Sequence, residues 1–290
     1  MKIEYIEKNF RGASLELIDL ANDVVEDYQE RGYTLTLRQL YYQLVARDLI
    51  PNHKRSYDRL GSILSDARLA GLVDWDAIED RTRNLAGLQD WSSPAQIVRA
   101  ARNSYRIDHW QGQDWTPEVW VEKEALAGVV QRACQPLDVD FMSCRGYMSQ
   151  SEMHSAALRF QRYFDKGQTP VIIHLGDHDP SGMDMTRDID DRLTLFMGGL
   201  KVERIALNYD QVEQYNPPPN FAKVTDSRAD AYISLYGPNS WELDALDPDV
   251  LVELITDTIL SYRDDDIYNE VIEREKKEKA MIDKAVRSMS

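Results

Sequence analysis

The chain has 290 residues, of which 43% are hydrophobic and 29% are charged, and its formal net charge is −16. This length and composition are typical of a soluble globular protein with room for two domains. No apolar run reaches the ~18 residues that a membrane-spanning helix needs, and no signal-peptide hydrophobic stretch follows Met1, so we expect a cytoplasmic protein without a membrane partner.

The negative charge argues against indiscriminate binding to nucleic acid, but it is unevenly distributed. Residues 31–110 hold 12 Lys and Arg against 9 Asp and Glu, whereas residues 244–266 are dense in acids. A polyanionic partner can therefore approach the N-terminal third of the chain.

Hydrophobic periodicity predicts three short helices in this N-terminal third. The helices are expected at residues 13–31, 37–49 and 57–70. Thr36 and Gln39 have the spacing of a capping box, which marks the start of the second helix. Residues 72–78 then alternate between apolar and polar side chains, as the short strands of a wing do. Three helices followed by a small hairpin predict a winged-helix DNA-binding domain over residues 1–93.

From residue 117 the pattern changes to alternating strands and helices. Strands are expected at residues 119–121, 139–143, 171–175 and 202–207, and helices at residues 123–134, 149–166 and 183–197. Such alternation is typical of an α/β fold with a mostly parallel, Rossmann-like sheet that helices cover. Residues 94–116 are interpreted as a helical linker, and the end of the chain as a helical extension of the second domain.

Acidic residues follow two of the predicted strands. Asp177 and Asp179 come after residues 171–175, and since side chains of a strand alternate in direction, both carboxylates are expected to point the same way. Glu122 follows the first strand at the same edge, where open α/β sheets place their ligands. One such acid more often caps a helix or pairs with arginine, but three together predict a divalent-metal site, and oxygen ligands favour Mg²⁺.

The second predicted helix carries another candidate pair. A stripe of leucines includes Tyr41, which makes Tyr41 the expected core residue and Tyr42 the expected exposed one. Arg38 precedes Tyr42 by four residues and is expected to stack beside it. A phenol next to a guanidinium suits nucleophilic attack on a phosphodiester, because the arginine holds the phosphate and favours the phenolate. An ordinary tyrosine at a helix edge gives the same pattern.

The two candidate groups together resemble one known family. Residues 36–42 resemble the Arg-x-x-Tyr-Tyr signature of the topoisomerase VI A subunit and of its meiotic double-strand-break relative. Residues 121–123 and 176–182 resemble the Toprim domain of the same family, and residues 241–246 resemble its Glu-Leu-x-Ala-Leu run. These motifs occur in the family's order, and the chain is most similar to the reduced, stand-alone members.

The resemblance implies a winged-helix domain like that of the catabolite activator protein (CAP-like), followed by a Toprim domain over residues 117–290. It implies that Tyr42 attacks a DNA phosphate to form a 5′-phosphotyrosyl link and that Arg38 orients this phosphate. Glu122, Asp177 and Asp179 would bind Mg²⁺. Double-stranded DNA is the implied partner, in the nucleoid. A homodimer is expected, in which tyrosine and metal site meet across the interface, and strand passage would need a separate GHKL-type ATPase B-type subunit.

Two alternatives stay open. The chain would be a Toprim nuclease if metal-activated water were the nucleophile and Tyr42 only structural. It would be a DNA-binding or assembly protein if the scaffold had no catalytic role. Five basic side chains are candidate nucleic-acid contacts in all three cases, although each alone is more often a solvated surface charge. They are Lys54, Arg55, Arg59, Arg68 and Arg145.

Overall fold

The structure is a computed structural model that describes residues 2–79, 91–222 and 226–288. The helices of these ranges are α1 (Gly12–Glu30), α2 (Leu37–Ala46), α3 (Lys54–Leu69), α4 (Pro94–Ser104), α5 (Ala127–Cys134), α6 (Gln150–Phe164), α7 (Pro180–Met197), α8 (Tyr209–Tyr215), α9 (Ala229–Tyr236), α10 (Pro248–Ser261) and α11 (Asp265–Ser288). The strands are β1 (Trp115–Val121), β2 (Asp140–Ser143), β3 (Thr169–Leu175), β4 (Lys201–Ala206), β5 (Asn220–Phe221) and β6 (Asn239–Ser240).

Helices α1, α2 and α3 pack around one apolar core. The capping box at the start of α2 is present, because the Thr36 side chain accepts from the Gln39 N–H and the Gln39 side chain accepts from the Thr36 N–H. Leu40 and Leu44 on α2 meet Leu60 on α3, and all three are fully buried. The three predicted N-terminal helices are therefore confirmed.

The predicted wing strand over residues 72–78 is wrong. These residues form turns, and Ile78 makes only an isolated bridge to Leu35. The apolar residues of the stretch, Val73, Ala77 and Ile78, are instead buried against the three helices. The apolar side chains of this alternating stretch therefore pack against the core of the three helices and do not form one face of a strand. The remainder of the expected hairpin lies outside the described residues.

Helix α4 occupies the predicted linker. Ser93 caps it, and its side chains are half-buried or exposed. Arg102 pairs with Asp283 of α11 at 2.9 Å between Nε and Oδ1, so the linker lies against the last helix. The sheet begins at Trp115, two residues before the predicted boundary at residue 117.

The α/β fold with a parallel sheet is confirmed. The four strands have the order β2-β1-β3-β4, and all three pairings are parallel. Helices cover both faces: Val119 and Ile173 belong to the core under α5 and α10, whereas Trp120 and Ile172 face the core formed by α6 and α7. The carboxyl ends of β1 and β3, which lie side by side, therefore open at one edge of the sheet.

Beyond β4 the chain returns over this edge. Residues 216–219 connect α8 to β5, which pairs antiparallel with β6. Trp241 follows β6 and exchanges two backbone hydrogen bonds with His178, each 2.9 Å long. This pairing places residues 241–244 beside the acidic turn after β3. No helix in the described part of the chain is long and apolar enough to cross a membrane.

Candidate functional site

The acids after β1 and β3 lie next to each other at the carboxyl edge of the sheet. Glu122 accepts a hydrogen bond from the Asp177 backbone N–H through Oε2, at 2.8 Å. Gly182 allows the turn after β3 to close tightly, since a Cβ at this position would lie 2.3 Å from the Asp177 carbonyl oxygen. A glycine is therefore required where α7 passes the acidic turn.

Asp177 and Asp179 have different partners. Asp177 is almost fully buried, and its Oδ1 accepts from the Leu243 N–H and lies 2.8 Å from the Lys123 Nζ. Asp179 caps α7, because its Oδ1 accepts from the Gly182 N–H at 2.6 Å. Helix capping thus holds one carboxylate of the pair, and an ion pair holds the other.

Arg204 of β4 holds the backbone of this turn. Its guanidinium donates to the carbonyl oxygens of Gly176, Asp177 and Gly182 at 2.9, 2.7 and 2.9 Å. Burial lowers the pKa of Arg204 to about 10, although the charges of Glu122 and Asp177 oppose this shift. The side chain therefore puts a buried cation directly behind the acids.

A group of five charged side chains, which we call the Lys123 cluster, joins α2 to the sheet edge. It consists of Arg38, Lys123, Asp177, Glu242 and Asp244. Lys123 contacts all three acids, with its Nζ 2.9 Å from the Asp244 Oδ1. Arg38 reaches two of these acids from α2, with Nη2 at 2.9 Å from Glu242 and Nε at 3.1 Å from Asp244. One network of ion pairs therefore connects Arg38 to Asp177 within a single chain.

The prediction that Tyr42 is exposed is wrong. Tyr42 is 6% exposed and Tyr41 5%, so both rings are buried. Helical periodicity correctly predicts that Arg38 lies beside Tyr42, with 5.7 Å between Cζ and the ring centroid. Burial raises the pKa of Tyr42 above its ordinary value, and the carboxylates of Glu242 and Asp244 raise it further, whereas Arg38 opposes them. Segments distant in sequence cover this ring, which is why α2 alone misled the prediction.

The acids at this edge repel one another. Burial raises the pKa of Glu122 above its ordinary value and the charge of Asp179 adds to this, although the Asp177 N–H and Lys123 favour the ionised form. Burial likewise raises the pKa of Asp177 well above its ordinary value. Burial would also raise the pKa of Glu242, but Lys123 and Arg38 outweigh it and lower that pKa to about 2.

The donor set fits Mg²⁺ through two of the predicted ligands. In the ranges that the structure describes, no group of three or more Asp, Glu, His or Cys side chains is placed to hold one metal ion together. Asp177 already uses Oδ1 for Lys123 and Leu243. Glu122 and Asp179 each use one oxygen for a backbone N–H, of Asp177 and Gly182, and their mutual repulsion is of the kind a cation relieves. Mg²⁺ often takes only one or two carboxylates and completes its shell with water and phosphate oxygens.

The five candidate nucleic-acid contacts differ in accessibility. Lys54 and Arg55 are exposed at the start of α3, and Arg59, also exposed, donates to the Ala13 carbonyl oxygen at 3.0 Å. Arg68 turns inward, because its guanidinium donates to the carbonyl oxygens of Trp75 and Ile78. Arg145 is exposed and pairs with Glu124.

Several residues of the site escaped prediction. Lys123, Glu242 and Asp244 lie in segments that carry the resemblance but have no predicted role, and Arg204 is predicted only as part of a strand. A usable signal exists for Arg204, since it is a charged residue between the apolar residues Val202 and Ile205 of a predicted strand. No protein-family model, curated protein or solved structure matches the chain.

Proposed function

We propose that the protein is a Mg²⁺-dependent DNA-cleaving transesterase similar to the A subunit of type IIB topoisomerases. The observation that carries this proposal is the Lys123 cluster. It connects Arg38, which lies beside Tyr42, with Asp177 at the acidic edge of the sheet. The cluster thereby links a candidate nucleophile and a candidate phosphate-binding cation to the acidic turn that carries the candidate metal ligands, as phosphoryl transfer would require.

The proposed reaction exchanges one phosphodiester for another. The Tyr42 phenol loses its proton to solvent and its oxygen attacks a DNA phosphorus, which forms the phosphotyrosyl bond. The bond from phosphorus to the 3′-oxygen breaks, and this oxygen leaves and takes up a proton as a 3′-hydroxyl. Because the phosphotyrosyl bond is itself a phosphodiester and is not hydrolysed, the 3′-hydroxyl can attack it and reseal the strand. Arg38 binds the phosphate throughout and favours the phenolate.

Glu122 and Asp179 would hold the Mg²⁺ at the sheet edge. When bound, Mg²⁺ supplies stabilisation of the negative charge on the phosphate and on the leaving oxygen. Arg204 keeps the backbone of the acidic turn in place, and Asp177 orients Lys123.

The proposed partner is double-stranded DNA in the nucleoid. The exposed residues Lys54 and Arg55 at the start of α3 would contact its backbone phosphates. The resemblance implies a homodimer, because a double-strand break needs one tyrosine for each strand. Since Arg38 and Asp177 are linked within one chain, the proposal uses the tyrosine and the acids of the same subunit rather than a site shared across the interface. Strand passage would need a separate GHKL-type ATPase subunit.

The test is a search for a covalent adduct. Supercoiled DNA is incubated with protein and Mg²⁺, the reaction is stopped with denaturant, and protease is added to release any DNA held by protein. We expect an adduct with the wild type and none with Tyr42→Phe. Tyr41→Phe is the matched control, since it removes a neighbouring, equally buried hydroxyl and should preserve the adduct. An adduct that persists in Tyr42→Phe would refute the proposed nucleophile.

The burial of Tyr42 favours a second candidate function, a nuclease that uses metal-activated water. Burial and two neighbouring carboxylates disfavour the phenolate of this residue. A nuclease would cut DNA without forming an adduct. Its cutting activity would persist in Tyr42→Phe but would be abolished by Glu122→Gln. Duplex binding without any cutting, unchanged by Glu122→Gln, would instead identify a DNA-binding module.

A further inference from the structure

Two cations of the Lys123 cluster share the same two carboxylates. Arg38 contacts Glu242 and Asp244 at 2.9 and 3.1 Å, and Lys123 contacts both as well. A guanidinium and an ammonium that converge on paired anionic oxygens form an arrangement that also suits a phosphodiester, whose two free oxygens are anionic acceptors.

The two carboxylates differ in their access to solvent. The Asp244 side chain is 0% exposed and that of Glu242 is 22% exposed. Arg38 is 46% exposed and lies next to the ring of Tyr42. Asp244 is therefore enclosed, whereas Glu242 is the more accessible of the two carboxylates.

The charges of the cluster also allow one carboxylate to be replaced. Three acids, Asp177, Glu242 and Asp244, contact two cations, Arg38 and Lys123. The cluster thus carries one negative charge in excess if all five groups are ionised. Withdrawal of Glu242 leaves two acids on two cations, and a phosphodiester with one negative charge restores the original count.

We propose that Glu242 occupies the place of a DNA phosphate between Arg38 and Lys123, and that a phosphodiester of bound duplex displaces it. Lys123 is then a second phosphate-binding residue of the site, and Glu242 competes with the substrate. A phosphodiester that has replaced Glu242 lies beside Tyr42, where the proposed attack requires it. This inference rests on the proposed function for its substrate, but it concerns binding and is tested without cleavage.

The experiment measures the affinity of a fluorescently labelled DNA duplex by anisotropy, in the presence of EDTA. We expect Glu242→Gln to bind about tenfold more tightly than the wild type. The slope of log affinity against log salt should steepen by about one, because another phosphate is neutralised. Glu203→Gln is the matched control, since Glu203 is also partly exposed and pairs with a lysine, Lys201, at 3.1 Å. Lys123→Gln added to Glu242→Gln should abolish the gain.

An affinity of Glu242→Gln no higher than that of Glu203→Gln would overturn the inference. If circular dichroism shows Glu242→Gln to be unfolded, the test uses Lys123→Gln, with Lys201→Gln as its control. The inference requires Lys123→Gln to bind the duplex more weakly than Lys201→Gln does, and equal binding overturns it. The proposed function fails separately. Tighter binding by Glu242→Gln without any covalent adduct would support the phosphate site and refute the proposed transesterase activity. An adduct without tighter binding would support the transesterase activity and refute the phosphate site.

Discussion

Two ionic groups, one on β1 and the other just beyond its end, differ in whether their charges cancel. Glu118 of β1 accepts two hydrogen bonds from Arg159 of α6, at 2.6 and 2.9 Å, and one from the Trp120 indole. One cation there meets one carboxylate, and both carboxylate oxygens have partners. Lys123, five residues after Glu118, belongs to a cluster in which three carboxylates contact two cations. The balanced pair fixes a helix to the sheet, whereas the unbalanced cluster retains a carboxylate that a ligand can replace.

The largest expected effect is on the balanced pair. Arg159→Leu leaves the Glu118 carboxylate buried without its cation, and we expect it to lower the free energy of unfolding by about 3 kcal/mol. The partial exposure of Arg159, 38% of its side chain, keeps the loss at the lower end of the usual range. Urea unfolding measures it. Lys276→Leu, which breaks an exposed ion pair with Glu273, is the control and should cost far less. Equal losses would mean that burial does not distinguish these pairs.

A smaller effect on the free energy of unfolding is expected from acidification, through a buried histidine that is neutral in the folded protein. Burial, with a contribution from Arg204, lowers the pKa of His174 from an ordinary 6.5 to about 3. The unfolded chain therefore takes up a proton first as the pH falls. The contribution of His174 is complete above pH 6.5 and should decline by about 2 kcal/mol by about pH 5.

The measurement for His174 is urea unfolding across this pH range, with His174→Asn beside the wild type. The difference between the two isolates His174, because His178, whose pKa burial lowers to about 4, acts in the same direction in both proteins. His154→Asn removes an exposed histidine of α6 as the control. A pH dependence identical in wild type and His174→Asn would contradict the prediction.

The smallest expected effect would sharpen the comparison most. Glu242→Gln loses the attraction of Lys123 and Arg38 that holds the pKa of Glu242 at about 2, but both cations keep Asp244 and Lys123 keeps Asp177. We therefore expect the free energy of unfolding to fall by about 1 kcal/mol, less than for Arg159→Leu. Urea unfolding at neutral pH is the measurement. A loss as large as that of Arg159→Leu would show that the cluster needs all three acids for stability, and the contrast between the two groups would disappear.

Much of the fold was predictable because its signals are local. The alternation of strands and helices from residue 117 predicted all four strands of the parallel sheet. Errors at helix starts have a local cause as well. Helix α7 begins at Pro180 rather than Met183 because Asp179 caps it, and α3 begins at Lys54 rather than Tyr57 because His53 caps it. Side-chain capping extended both helices beyond their apolar periodicity.

The site was predictable only in part, since its contacts join distant segments. Residue types and strand ends indicated Glu122, Asp177 and Asp179, and helical spacing indicated Arg38 beside Tyr42. The partners of Arg38 are 204 and 206 residues away, and Lys123 is 121 residues from Asp244. No periodicity within α2 reveals that residues 242–244 will cover it, and the burial of Tyr42 was missed for this reason.

The same long separation has a consequence for synthesis of the protein. Helix α2 leaves the ribosome first, and residue 242 is added roughly 10–40 s after residue 38 at ordinary translation rates. Until then Arg38 has neither of its carboxylate partners, and the acidic turn lacks the Leu243 N–H that holds Asp177. A shorter chain therefore contains the individual groups without the segment 242–244 that links them, so a capacity to break DNA would be expected only after this segment has been added.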